Sequence, residues 1–106
     1  MDKKQVLKQA VEHYGANAQI DKAIEEMAEL TQALIKCRID INAKVVANVA
    51  EEIADVLIMV EQLIMIYDNE EAVNKHTNNK IARLEQRLPN AFGKLKEQEL
   101  PNFERE

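Results

Sequence analysis

The sequence contains few of the residues that interrupt regular secondary structure. Its 106 residues include two glycines, two prolines and no tryptophan, and its aromatic side chains are two tyrosines and two phenylalanines. Folds built from many short strands need turns rich in glycine and proline, which this chain lacks. Alanine, leucine, glutamate and lysine, which favour helices, are abundant instead. We therefore predict an all-α protein with almost no strand.

Cysteine and long apolar runs are also scarce. Cys37 is the one cysteine, which excludes an internal disulfide, and no segment with the pattern of a signal peptide precedes it. We therefore expect a cytoplasmic protein. The most apolar run, residues 53–67, is interrupted by Asp55 and Glu61, and it is shorter than the ~20 residues that cross a bilayer. No association with membranes is expected.

An excess of positive charge is the third feature that the sequence lacks. The 14 lysines and arginines are outnumbered by 19 aspartates and glutamates, which gives a formal net charge of −5. General nucleic-acid binders need a net basic face to displace counterions, so nucleic acid is not an expected partner. The length suits one domain with a modest core, and we predict a single domain over residues 1–106.

Four helices are predicted from hydrophobic periodicity and capping residues. They cover about residues 3–14, 18–38, 45–67 and 70–88. An extended arm is predicted over residues 89–106. Gly15 is placed to end the first helix, Asn17 to cap the second and Asn69 to cap the fourth. The core stripe predicted for the second helix comprises Ile20, Ile24, Met27, Thr31 and Leu34, with Ala23 and Leu30 widening it. That predicted for the fourth helix comprises Val73, Thr77, Ile81, Leu84 and Leu88.

The predicted third helix is apolar almost all the way round. Between residues 53 and 67, its apolar side chains cover far more than one face. A helix of this kind is buried on most of its sides, and a chain of this length has too few other helices to cover it. We therefore predict that a second copy of the chain supplies the cover, which makes the protein at least a homodimer.

Two acidic segments in the predicted helices form the most distinctive motif. They are Glu25-Glu26-Met27-Ala28-Glu29 and Glu51-Glu52-Ile53-Ala54-Asp55. Helical spacing brings residues i and i+3 together, so Glu26 pairs with Glu29, and Glu52 pairs with Asp55. The polar break between the helices allows them to run antiparallel with the two pairs facing. Four carboxylates in a small volume require a cation, and oxygen ligands suit Mg2+ or Mn2+.

Basic residues form a stripe on the predicted fourth helix. Its members recur at helical spacing and are His76, Lys80, Arg83 and Arg87. An acidic cluster that binds a divalent ion and a basic face that binds an anion together fit a metal-bound polyphosphate. Because the sequence has no Walker-type glycine loop, Mg2+ and side chains would hold the phosphates.

The acidic and basic motifs together resemble a known family. The segments that carry the resemblance are Glu25-Glu26-x-x-Glu29, Glu52-x-x-Asp55 and Asn78-x-Lys80-Ile81-x-Arg83. They are similar to the signature of the all-α nucleoside triphosphate pyrophosphohydrolases of the MazG and dimeric dUTPase superfamily. The resemblance covers about residues 20–88. The short chain is closer to single-domain MazG-like enzymes than to the longer dimeric dUTPases.

The resemblance implies a fold, a reaction and a set of site residues. The implied fold is a four-helix, bundle-like MazG-type domain completed by homo-oligomerisation, as a homodimer or a homotetramer. The implied reaction is Mg2+-dependent hydrolysis of a nucleoside triphosphate to a nucleoside monophosphate and pyrophosphate, with Mn2+ as a substitute ion. The implied Mg2+ ligands are Glu26, Glu29, Glu52 and Asp55. The residues implied in triphosphate binding are Lys80 and Arg83, with Asn78 nearby.

Two alternatives stay open at the level of the sequence. Glu25 and Glu51 are both candidates for the base that orients the attacking water, and the sequence does not choose between them. The alternative function is a non-catalytic helical oligomer, an interaction or regulatory module whose acidic helices are solvated faces. The base and the sugar of the nucleotide are not predicted, because generic apolar side chains line the base pockets of such helical dimers.

Overall fold

The computed structural model describes residues 1–89, which form four α-helices. They are α1 (Lys3–Tyr14), α2 (Ala16–Ile39), α3 (Ala43–Tyr67) and α4 (Glu70–Arg87). No strand occurs among the described residues, so the all-α prediction is confirmed. The largest differences from the predicted bounds are at α2 and α3, which each begin two residues earlier. Apart from Pro89, the predicted arm lies outside the described residues.

The chain divides into two units, Met1–Asn69 and a second that begins at Glu70. The first unit contains α1, α2 and α3, and α4 belongs to the second. No residue of α4 is buried, and Ile81 and Leu84 of its predicted core stripe are exposed. Across residues 1–89, no helix combines the length and the apolar character needed to cross a membrane.

Local hydrogen bonds explain where α1 begins. Asp2 accepts a hydrogen bond at 2.8 Å from the Gln5 backbone N–H, and Gln5 Oε1 accepts one at 2.9 Å from the Asp2 N–H. This capping box satisfies two backbone donors that a helix N-terminus leaves without partners. Leu7 is the one buried residue of α1, which packs against both α2 and α3.

Gly15 alone connects α1 to α2. Its φ of 94° and ψ of 150° lie in a region that glycine adopts readily and other residues do not. Its N–H donates to Val11 O at 2.9 Å, which confirms its predicted role at the end of α1. The prediction that Asn17 caps the N-terminus of α2 is wrong. Because the chain turns within one residue, α2 begins at Ala16, and its start has no side-chain cap hydrogen bond.

Two residues fix the ends of α3. Asn42 Oδ1 accepts a hydrogen bond at 3.0 Å from the Val45 N–H and caps the N-terminus. At the other end, Asp68 is left-handed (φ 50°, ψ 50°), and the Asn69 N–H donates to Ile64 O at 3.3 Å. The Asp68 N–H also donates to Ile64 O, and aspartate tolerates the left-handed conformation better than most residues. Asn69 Oδ1 is buried without a hydrogen-bond partner, so its predicted cap bond to α4 is not formed.

The contact between α2 and α3 is the most extensive between helices of the first unit. The buried residues of α2 are Ala23, Glu26, Ala33 and Cys37. Their spacing places them on one face of the helix, and the small side chains among them let α3 approach closely. The predicted stripe is right for Ala23, which is buried, and wrong for Ile24 and Leu34, which are exposed. Apolar residues occur on two faces of α2, and the face with the alanines is the one that packs.

A buried amide joins the three helices of the first unit. Gln62 on α3 is 2% exposed. Its Oε1 accepts a hydrogen bond at 2.7 Å from Gln19 Nε2 on α2, and its Nε2 donates to Leu7 O on α1 at 3.5 Å. Farther along α2, Glu26 lies beside Glu52, which is closer to the start of α3. The two helices are therefore antiparallel, as predicted.

We expect Gly15→Ala to lower the free energy of unfolding by about 1–3 kcal/mol, because alanine is strained at a φ of 94°. No heavy atom lies within 4 Å of the position of the added Cβ, so the loss would measure backbone strain and not a clash. Urea denaturation followed by circular dichroism gives the value. Asn17→Ala is the control and should not lower stability. Equal stability of Gly15→Ala and the wild type would contradict the argument.

Candidate metal centre

Helices α2 and α3 bring the predicted carboxylates together in two groups. The first consists of Glu25, Glu26 and Glu29, and the second consists of Glu26, Glu52 and Asp55. Within each group, one carboxylate oxygen from every residue lies within 4.8 Å of the others. Glu26 belongs to both groups, so each of the other three predicted metal ligands lies beside it.

Glu26 is the buried member of the cluster. It is 6% exposed because it shares the packed face of α2 with Ala23 and Ala33. Its Oε2 is buried and has no hydrogen-bond partner, and the same holds for Oε2 of the half-buried Glu52. Burial of a carboxylate oxygen without a hydrogen bond is unfavourable. A cation bound by both carboxylates would satisfy these two oxygens.

Lys22 provides the one cation that contacts the cluster among residues 1–89. Its Nζ lies 3.2 Å from Glu26 Oε1, one turn away along α2. The hydrogen bond to Glu26, together with the negative charges of Glu25, Glu26 and Glu29, raises the pKa of Lys22. Sequence reasoning misses this residue, although a lysine four positions from a glutamate on a helix is a recognised ion-pair spacing.

Repulsion within the cluster acts on Glu29. The negative charge of Glu26 is the largest of the effects that raise the pKa of Glu29, followed by burial and the charges of Glu52 and Glu25. Lys22 acts in the opposite direction. A raised carboxylate pKa means that the ionised form is disfavoured. Converging negative charges have this effect, which is the one expected for the predicted cluster.

The donor set of the cluster fits a hard divalent cation. Every side chain in the two groups is a carboxylate, and oxygen-only ligands favour Mg2+ or Mn2+ over zinc or copper. The buried oxygens of Glu26 and Glu52 that lack hydrogen-bond partners can serve as ligands. The cluster therefore has the chemistry of a Mg2+ site, and Mg2+ binding stays a prediction.

The two candidate bases differ in their surroundings. Glu25 is exposed and belongs to the first carboxylate group. Glu51 is also exposed, but it takes part in neither of the groups found among residues 1–89. Glu25 is therefore the better placed of the two to act beside the predicted metal ligands.

The residues predicted to bind the triphosphate lie on α4. Asn78, Lys80 and Arg83 are all exposed there, and they belong to the second unit. Lys80 and Arg83 are three residues apart, so they lie on the same side of the helix. Their contact with a triphosphate stays a prediction.

Comparison with known proteins does not extend this description. No family model, curated protein or solved structure matches the chain. The resemblance to MazG-like pyrophosphohydrolases therefore rests on the residues of the motifs, and the candidate site rests on its own geometry.

Glu29→Gln should raise the urea midpoint of the protein in EDTA at about pH 7. The folded-state pKa of Glu29 is raised above its ordinary value of 4.5, so the ionised carboxylate destabilises the fold, and protonation removes this penalty as the pH falls through that pKa. The gain should therefore be largest near neutral pH. It should shrink toward pH 4, where Glu29 of the wild type is protonated as well.

Glu12→Gln is the control for this measurement, because it removes an exposed carboxylate of α1 outside the cluster. Its urea midpoint should follow that of the wild type at both pH values. A midpoint for Glu29→Gln that is equal to or below the wild-type value near pH 7 would show that the carboxylates do not repel one another in solution.

Proposed function

We propose that this protein is a Mg2+-dependent nucleoside triphosphate pyrophosphohydrolase. Hydrolysis between the α and β phosphates would give a nucleoside monophosphate and pyrophosphate. The observation that carries the proposal is a carboxylate cluster centred on Glu26, which is 6% exposed and has one oxygen without a hydrogen-bond partner. An ordinary solvated acidic face has neither property.

Four carboxylates would hold the ion: Glu26, Glu29, Glu52 and Asp55. Bound there, Mg2+ would neutralise charge on the phosphates and make a neighbouring water more acidic. Mn2+ prefers the same kind of ligand and is expected to substitute. These carboxylates project from two packed helices, and Glu26 belongs to both of the groups that they form.

Glu25 and Glu51 remain the candidates for the base that orients the attacking water, and we favour Glu25. A base must lie within hydrogen-bond reach of the water that it orients. The carboxylate of Glu25 lies in one group with those of Glu26 and Glu29, with their oxygens within 4.8 Å of one another. A water held beside these two metal ligands would be within reach of Glu25.

Lys80 and Arg83 would bind the triphosphate, with Asn78 nearby. Their charges are opposite to those of the phosphates, and arginine can offer two parallel N–H donors to one phosphate group. Because the sequence has no glycine-rich phosphate loop, side chains of this kind are the groups left to hold the anion. The net charge of −5 makes local positive charge necessary for an anionic substrate.

We also propose that the active protein is a homo-oligomer, either a homodimer or a homotetramer. Large apolar side chains are exposed on α2 and α3 of the single chain. They include Ile24, Leu34, Ile35, Ile53, Leu57 and Ile58. Exposed apolar patches are typical of surfaces that bind another protein chain. A second copy of the chain would remove these side chains from water.

The exposed apolar residues also suit the alternative function, a non-catalytic helical interaction or regulatory module. That function accounts for the apolar surface. It gives no reason for Glu26 to bury a carboxylate oxygen without a hydrogen-bond partner, so we rank it second. The two functions differ in one observable, which is the release of pyrophosphate.

Incubated with Mg2+ and a panel of nucleoside triphosphates, the wild-type protein should release pyrophosphate from at least one of them. Glu26→Gln, Glu52→Gln and Asp55→Asn should each reduce turnover by at least ~100-fold, because the loss of a ligand misplaces the ion. A coupled pyrophosphate assay measures both effects. Asp21→Asn removes an exposed carboxylate from α2, one turn before Glu25. It is the matched control and should retain wild-type turnover.

Near-normal turnover in two of the three ligand variants would refute the assignment of the metal ligands. Failure of the wild type to release pyrophosphate from any triphosphate, combined with failure to bind Mg2+, would favour the non-catalytic module. If Asp21→Asn lost as much turnover as the ligand variants, the loss would follow from the removal of a negative charge and not from the removal of a metal ligand.

The wild type should sediment as a dimer or a tetramer at micromolar concentration. Leu57 is 59% exposed in the single chain, so glutamate at this position can be solvated in a monomer but would be buried in the proposed interface. Leu57→Glu should therefore shift sedimentation toward the monomer. Gln32→Glu, at an exposed polar position of α2, should leave the assembly intact. A well-folded wild-type monomer would contradict the proposed assembly.

A further inference from the structure

One ion pair lies inside the candidate metal centre. Lys22 Nζ is 3.2 Å from Glu26 Oε1, and the Lys22 side chain is 51% exposed, whereas that of Glu26 is 8% exposed. The other salt bridge among residues 1–89 joins Lys3 and Glu61 at 3.1 Å, with both side chains well exposed. The two pairs have similar lengths, but only the first involves a predicted metal ligand.

The two carboxylate oxygens of Glu26 have different surroundings. Oε1 contacts the ammonium of Lys22, and Oε2 has no hydrogen-bond partner. A divalent ion bound by Glu26 together with Glu29, Glu52 or Asp55 would share this carboxylate with the ammonium. Two cations on one carboxylate repel each other, and the repulsion is strong where the carboxylate is shielded from water.

We propose that the Lys22 ammonium is the counter-cation of the metal-free centre and that it leaves Glu26 when a divalent ion binds. This inference rests on the proposed function and adds regulation to its metal centre, because Mg2+ binding becomes an exchange of one cation for another. Lysine suits the role. Its charge is compact and is carried on a flexible stem, and half of the side chain is in solvent, so the ammonium can move away while α2 stays folded.

The exchange affects two measurable quantities in opposite directions. Lys22 stabilises the metal-free protein, because it neutralises the carboxylate of a side chain that is 8% exposed. It also weakens Mg2+ binding, because the ion pair must break before the ion can bind. A lysine that is only a solvated surface residue would do neither. A lysine that held the metal ligands in position would strengthen Mg2+ binding.

Lys22→Met tests the exchange, since methionine favours helices and removes the charge while it keeps an unbranched side chain. The protein is stripped of metal with EDTA, dialysed and titrated with MgCl2 by calorimetry. The dissociation constant should be about two- to tenfold lower than that of the wild type, the range expected when an ion pair no longer has to break. Thermal melts should show a lower Tm in EDTA and a larger rise in Tm with Mg2+.

Two further variants serve as controls. Lys3→Met breaks the pair with Glu61 and changes the net charge by the same amount as Lys22→Met. Its Mg2+ affinity should equal that of the wild type. Lys22→Arg keeps a cation opposite Glu26 and should not tighten Mg2+ binding.

The outcomes separate this inference from the proposed function. If the wild type binds Mg2+ and Lys22→Met binds it equally or more weakly, the exchange is wrong and the metal centre stands. If neither protein binds Mg2+, both are wrong. Binding by Lys22→Met but not by the wild type supports the exchange. If Lys22→Met is unfolded in EDTA, refolding on addition of Mg2+ supports the exchange, and failure to refold overturns it.

Discussion

The contact between α2 and α3 buries a carboxylate, that of Glu26. Glu26 lies on the packed face of α2, and the close approach of α3 brings Glu52 and Asp55 beside it. A charge in this position needs a partner. Lys22 is one such partner, and the raised pKa of Glu29 reflects the repulsion that remains. The packing of the two helices therefore determines the electrostatic environment of the cluster.

Local rules make a large part of this arrangement predictable from the sequence. The pairing of Glu26 with Glu29 depends only on helix geometry, and so does the pairing of Glu52 with Asp55. The end of α1 is predictable because the positive φ of Gly15 is a property of one residue. The meeting of the two acidic pairs needs one inference more, which is that a short polar connection turns the chain back on itself.

The features that the sequence does not predict depend on which face of a helix packs against its neighbour. Helix α2 carries apolar residues on two sides, and periodicity centres the predicted stripe on Ile24, which is exposed, with Ala23 only at its edge and Ala33 outside it. Alanine contributes little to a hydrophobic pattern, yet it permits the closest approach of another helix. The Lys22 pair escapes prediction for a related reason. A lysine among acidic residues has the pattern of a solvated position until the burial of Glu26 is known.

The hydrogen bond between Gln19 and Gln62 lies two helical turns from the carboxylates. Glu26 follows Gln19 by seven residues, and Asp55 precedes Gln62 by seven. Seven residues span roughly 10 Å of helix axis and return to the same face. If α2 slid along α3 by one turn, the hydrogen bond between the two amides would break. The same movement would separate Glu26 from Asp55. The amides thus align the two acidic segments from two helical turns away.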